Sequence, residues 1–230
     1  MAFFPSLPED ARHIHVWGFH LERYRVWPFL AHGIMRGDSP LTIAEREMIG
    51  AYVSGVNACG YCYGAHEAVA AEYGVEPEVF TALFEDLDTA PVDDKLKPIL
   101  RYVRKLTETP TKMTQADADA VFEAGWDEYA LHDAIAVCCI FNWMNRFMLG
   151  HGIRPLPPEV ARSSASTRAQ LGYIGKAALE RGLDMVEGLS PQLRDVVEKE
   201  MERLGAPREG TFNDANARAR GRRNDVGAKP

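Results

Sequence analysis

Apolar residues recur at helical spacing along most of the chain before residue 180, and no stretch alternates as a half-buried strand does, so the pattern predicts an all-α fold. Residues 17–35 make the first helical region, with Pro28 placed to kink or restart it. Thr42 and Glu45 stand at capping-box spacing and open a helix expected to reach about residue 55. Residues 57–60 break the pattern, and a second helix follows over about 60–73, closed by Gly74 as its C′ residue with Pro77 beyond. Shorter helices are predicted over 76–86 and 114–124, the latter stopped by Gly125. Between them, 91–107 places Leu96, Ile99, Leu100, Val103 and Leu106 on one stripe. Residues 129–149 are apolar nearly all round and predict the central, most buried helix. After Pro155-Leu156-Pro157-Pro158 the composition turns polar, with helix-compatible pieces at 165–182 and 191–204.

The expected organisation is one helical domain over 1–206, with its core at about 20–153 and a helical extension over 154–206. Residues 207–230 are rich in Arg, Gly and Asn with almost no large apolar side chain, and predict a disordered tail. A faint echo joins two halves of the core. Leu41-Thr42 leads through a helix to Asn57, and Met113-Thr114 leads through helices to Asn142.

Composition narrows the function classes. With 230 residues, 46% of them apolar, the chain is long enough to bury a core without disulfide staples. A net charge of -7 and a pI near 5.5 argue against a nucleic-acid or anionic-membrane surface as its partner. No apolar run reaches the roughly 20 residues of a membrane span. The longest, at 134–149, is interrupted by Asn142, Asn145 and Arg146. The first twenty residues lack a basic segment followed by an unbroken apolar one, so a cytoplasmic location is expected.

The four cysteines stand as Cys59/Cys62 and Cys138/Cys139, unlike the spread of a secreted disulfide framework. Cys138 and Cys139 read as core-filling residues, and as adjacent helical positions they point about 100° apart, which makes them poor donors for a zinc site shared with Cys59 and Cys62. On a helix, Cys59, Cys62 and His66 would fall on one face. Were residues 43–73 one straight helix, Glu47 and Cys59 would lie about 18 Å apart. A chain reversal near Asn57 instead puts Glu47 ten residues before the turn and His66 nine after it, so an antiparallel pair brings them to one level. The carboxylate can then orient the imidazole, which can exchange a proton with Cys62.

Glu47, Cys59, Cys62 and His66 at these spacings resemble the active-site pattern of AhpD-like alkylhydroperoxidases in the carboxymuconolactone decarboxylase superfamily. Val53-Ser54-Gly55-Val56-Asn57, Phe141-Asn142 and Asn145-Arg146 are similar to its peroxidase-related branch, and the likeness spans about 20–153. It departs at Tyr61, where AhpD proper has a second histidine; a phenol with a pKa near 10 carries protons poorly at neutral pH.

The resemblance implies an all-α bundle built around the hairpin that carries the C-x-x-C, a homo-oligomer, and chemistry with no cofactor or metal. Cys62 would attack a hydroperoxide, Cys59 would resolve the sulfenic acid into a disulfide, and a dithiol partner would reduce it. The residues alone leave open which cysteine attacks, since the first cysteine of a C-x-x-C at a helix N-terminus is often the more acidic. Lowering a thiol pKa from about 8.5 to about 6.5 multiplies the thiolate at pH 7 roughly 25-fold, of which reduced nucleophilicity returns about 10-fold. Proton delivery to a leaving alkoxide is worth roughly 100-fold or more, so His66 is expected to act mainly as a proton shuttle. Two further readings are a non-redox lyase using His66 and Glu47, and a helical redox sensor without turnover.

Overall fold

The computed structural model describes residues 2–24, 26–181 and 199, and among these there are helices and no strands. Short α1 (His13–Trp17) and α2 (Leu21–Tyr24) flank a 3-10 turn, and α3 (Trp27–Arg36) begins one residue before Pro28, which therefore restarts the helix. Next come α4 (Ile43–Val56), α5 (Gly60–Glu72), α6 (Pro77–Glu85), α7 (Lys97–Glu108), α8 (Gln115–Glu123), α9 (Glu128–Gly150) and α10 (Pro158–Arg181). The pieces expected at 191–204 and 207–230 lie outside the described residues.

The chain divides into two compact units. Of the described residues, one unit comprises those up to 32, 150–154, 170–181 and 199; within it the Phe3 N–H donates to the His151 carbonyl and Phe4 stacks on the His151 ring. The other comprises 33–149 and 155–169 and holds α4 to α8, nearly all of α9 and the first half of α10. Gly172, at φ 64°, interrupts α10 just beyond it.

In the larger unit α4 is the enclosed helix, every residue from Arg46 to Ser54 being buried. Thr42 caps it: its hydroxyl accepts from the Glu45 N–H while the Glu45 carboxylate accepts from the Thr42 N–H. Thr114 and Asp117 repeat the arrangement at α8. The echo between the halves is physical at its far end too, where Asn57 donates to Asn142.

Three expectations need correction. The most buried helix is α4 rather than α9, which leaves Tyr129, Cys139, Trp143 and Leu149 exposed. Arg46, Glu47 and Ser54 are polar yet buried in α4, and each is paired internally: the Arg46 guanidinium, for example, donates to the Ile34 and Gly37 carbonyls at the end of α3. Of the two core-filling thiols, Cys138 is buried and Cys139 is exposed. α7 also starts later than residue 91, because the Asp93 carboxylate accepts from the Lys95 N–H and holds that stretch in a turn.

Candidate active site

A six-residue backbone device makes the hairpin. Cys59 N–H donates to the Ser54 carbonyl and Ala58 N–H to the Gly55 carbonyl, the paired bonds of a Schellman motif, with Ala58 in the left-handed region at φ 53°. Cys59 becomes the N-cap of α5 at φ -86°, ψ 82°, and is not itself helical. Of the three side chains expected on one helical face, Cys62 and His66 sit one turn apart on α5 and Cys59 joins them from the cap.

The reversal brings Glu47 and His66 together, with Glu47 Oε2 2.7 Å from His66 Nδ1. Gly50 lets α9 close on the pair: a Cβ there would meet the Phe141 ring at 2.5 Å, and that ring stands edge-on to His66 with centroids 4.5 Å apart. Arg36, at the end of α3, places Nη2 2.7 Å from Glu47 Oε1 and lies over the Tyr73 ring. Tyr73 in turn donates to the Ala169 carbonyl, tying α10 down beside the buried Arg168.

Burial alone would push the Glu47 pKa up. His66, Arg36 and Arg168 outweigh it and hold the carboxyl at about 2. Burial drives His66 the other way, below its usual value, and the two arginines add to that against the pull of Glu47. At neutral pH the pair is therefore an anionic carboxylate and a neutral imidazole. A carboxylate only accepts, so Nδ1 carries the proton and Nε2 is left as the basic nitrogen.

The four cysteines are unbridged, and Cys59 and Cys62 are both buried. A hydrogen bond from the Cys62 thiol leads the causes that lower the Cys59 pKa; burial opposes it, and the Cys62 and Tyr61 N–H groups at the start of α5 and the Asn145 amide assist it. The same bond, with burial and the Cys59 charge, lifts Cys62 well above its ordinary value, while Asn145 and Arg168 pull it down. Of the reduced pair, Cys59 is therefore the more acidic thiol and Cys62 the less acidic one.

A chain of amides borders the sulfurs. Asn57 Nδ2 donates to Asn145 Oδ1 at 2.9 Å and to Asn142 Oδ1 at 3.2 Å, and Asn145 Nδ2 donates to Ser54 Oγ at 3.0 Å. Arg146 is exposed and donates to both the backbone and side-chain oxygens of Asn142.

Glu47, Cys59, Cys62 and His66 are therefore gathered in one buried region. Arg36 and Arg168 escaped the sequence reading because a lone arginine carries no local sign of the helix it will pack against. Tyr61 is buried in the first turn of α5. Among the described residues no group of three or more His, Cys, Asp or Glu could hold a metal ion, and no helix is long and apolar enough to cross a membrane.

Residues 23–97 match the carboxymuconolactone decarboxylase family. Among solved structures, the chain is similar to a peroxidase-related protein from Silicibacter sp. TM1040, at 26% identity and a TM-score of 0.58 over 62% of this chain and 75% of that one. It is similar to the same degree, 26% and 0.58, to a peroxidase-related protein from Ralstonia eutropha JMP134 described as an alkylhydroperoxidase AhpD core, over 64% and 78% of the two chains. These likenesses support a relation to the AhpD-like, carboxymuconolactone decarboxylase superfamily. No curated protein matches the sequence. The superfamily is one of enzymes, and the family match covers α3 to α5 and with them Arg36, Glu47, Cys59, Cys62 and His66, whereas Asn145 and Arg168 lie outside it.

Proposed function

We propose that this protein is a thiol-dependent peroxidase or disulfide oxidoreductase in which Cys59 and Cys62 cycle between dithiol and disulfide. The observation that carries the reading is geometric: two buried, unbridged cysteines open α5 one helical turn before a buried imidazole that stands 2.7 Å from the Glu47 carboxylate. A lyase using His66 and Glu47 alone would have no need of that cysteine pair.

In the proposed cycle His66 Nε2 takes the Cys62 proton as the sulfur attacks a peroxide oxygen. The O–O bond breaks, the proton passes to the departing alkoxide, and Cys62 becomes a sulfenic acid. Cys59, the more acidic thiol, gives up its proton, attacks that sulfur, forms the S–S bond and expels hydroxide, which takes up that proton as water. Two thiols and one hydroperoxide become a disulfide, an alcohol and water. A dithiol partner of unspecified identity then restores the pair. Tyr61 stands where AhpD proper has its second histidine, which leaves the relay to His66 and Glu47. The reading further takes the protein to be a cytoplasmic homo-oligomer.

The lowered pKa of Cys59 and the raised pKa of Cys62 favour a second order of events, with Cys59 attacking and Cys62 resolving. Trapping of sulfenic acid with a dimedone probe after peroxide treatment separates the two. Attack by Cys62 predicts adducts in Cys59→Ser and none in Cys62→Ser; the opposite result transfers the roles. Wild-type protein should consume hydroperoxide with a dithiol donor and yield a Cys59–Cys62 disulfide by mass spectrometry. Full activity in both serine variants, or no consumption and no disulfide in wild type, defeats the proposal.

A further inference from the structure

The amide chain beside the sulfurs has only one consistent orientation, and it is set from outside the site. A guanidinium can only donate, so the Asn142 atom 2.5 Å from Arg146 Nη1 is its oxygen, and the Asn142 nitrogen faces the Cys138 carbonyl, which can only accept. Asn57, meeting that oxygen, must present its nitrogen, and the same nitrogen meets Asn145, which must answer with its own oxygen. Asn145 is then left with its NH2 group facing inward. One N–H is satisfied by Ser54 Oγ, whose hydrogen is committed to the Gly50 carbonyl at 2.8 Å. Asn145 is fully buried, so its other N–H has to find an acceptor inside the protein, and the two sulfurs lie beside it.

We infer that Asn145 is a positioning residue of the redox pair, offering the sulfurs an N–H whose direction is dictated from the protein surface by Arg146 through Asn142 and Asn57. The inference rests on the thiol reading of the site and extends it. A reversed amide would aim a carbonyl oxygen at the thiolate and repel it. The relay therefore fixes the sign of the interaction as well as its place, and it does so without adding charge to a buried site.

The test is the rate of iodoacetamide alkylation at Cys59 and Cys62 as a function of pH, resolved from Cys139 by mass spectrometry, on full-length protein whose folding is checked by circular dichroism. Asn145→Ala should slow alkylation at neutral pH about tenfold, the size expected of a hydrogen bond to a charged group, and move the profile to higher pH. Asn57→Ala frees the amide to reverse and should act in the same direction. Ser54→Ala leaves the amide anchored by Asn57 and gives up its competing acceptor, so alkylation should be as fast as in wild type or faster. An unchanged profile in folded Asn145→Ala overturns the inference. If that variant does not fold, slowing by Ser54→Ala equal to that by Asn57→Ala overturns it, because general loosening would treat the two alike. Alkylation needs no peroxide, so a wild-type protein that turns over no peroxide would sink the proposed function and leave this result standing on its own.

Discussion

The two flanks of the dithiol stabilise it by different physics. On one side Arg36, Arg168, Glu47 and His66 form a buried charged cluster; on the other Asn57, Asn142, Asn145 and Ser54 form a neutral hydrogen-bonded chain. The charged flank acts over distance and in all directions: Arg168 lowers the pKa of Glu47, His66 and Cys62 together. The neutral flank acts through contact and direction, and each member has one correct orientation. The charged flank should therefore dominate stability and respond to pH, while the amide flank should tune the sulfurs with little dependence on either.

Removing the centre of the charged flank is the most damaging change. Glu47→Ala takes the carboxylate from the buried Arg36 guanidinium and the His66 imidazole, and should cost about 3–5 kcal/mol in urea unfolding. Asn57→Ala, which removes one neutral donor, should cost about 1–3 kcal/mol in the same measurement. Equal losses would erase the distinction between the flanks.

Acid should expose the same difference. Glu47 is held at about 2 in the folded protein against an ordinary 4.5, so its contribution is complete above 4.5 and is lost as pH falls toward 2. The shift corresponds to roughly 3 kcal/mol. His66 is lowered from 6.5, so unfolding lets it gain a proton below that pH, and stability begins to decline there. Both slopes have one sign: stability falls with pH from about 6.5 downward, and more steeply below 4.5. Unfolding free energies measured across that range in wild type and Glu47→Gln check it, since the variant should lose the steeper segment.

How much of this the sequence disclosed depends on whether a residue's role is set locally. The Thr42–Glu45 capping box is local, and so is the count of ten residues before and nine after the turn, which brings Glu47 to His66. The opposition of Asn57 and Asn142 was only a faint echo. Arg36 and Arg168 were invisible because their roles are assigned by α3 and α10 docking, at no fixed offset from the cysteines. The burial ranking of α4 and α9 came out reversed because hydrophobic patterning takes paired polar residues such as Arg46 for surface ones, and takes exposed apolar residues such as Trp143 for core.

Next in size is the role of His66. As a proton shuttle it should affect the maximal rate of peroxide consumption, and His66→Ala should lower the plateau about 100-fold at every pH. If His66 served only to ionise Cys62, raising the pH would restore the rate. A pH–rate profile whose optimum shifts while its plateau is kept would move His66 out of the relay and make the charged flank purely structural.

The smallest expected effect lies at the turn that joins the flanks. Ala58 holds φ 53°, where a Cβ costs about 1–2 kcal/mol, because the bonds from Ala58 and Cys59 back to Gly55 and Ser54 require that backbone. Ala58→Gly removes the strain but enlarges the freedom of the unfolded chain by about 0.5–1 kcal/mol, so the net gain should be about 0.5–1 kcal/mol, read as a higher urea midpoint at unchanged slope. The substitution touches neither flank's side chains, so the thiol alkylation profile should stay where it was. A shifted profile would mean that the turn itself sets the spacing between Cys59 and Cys62, and that the pair's electrostatics belong to the backbone before they belong to either flank.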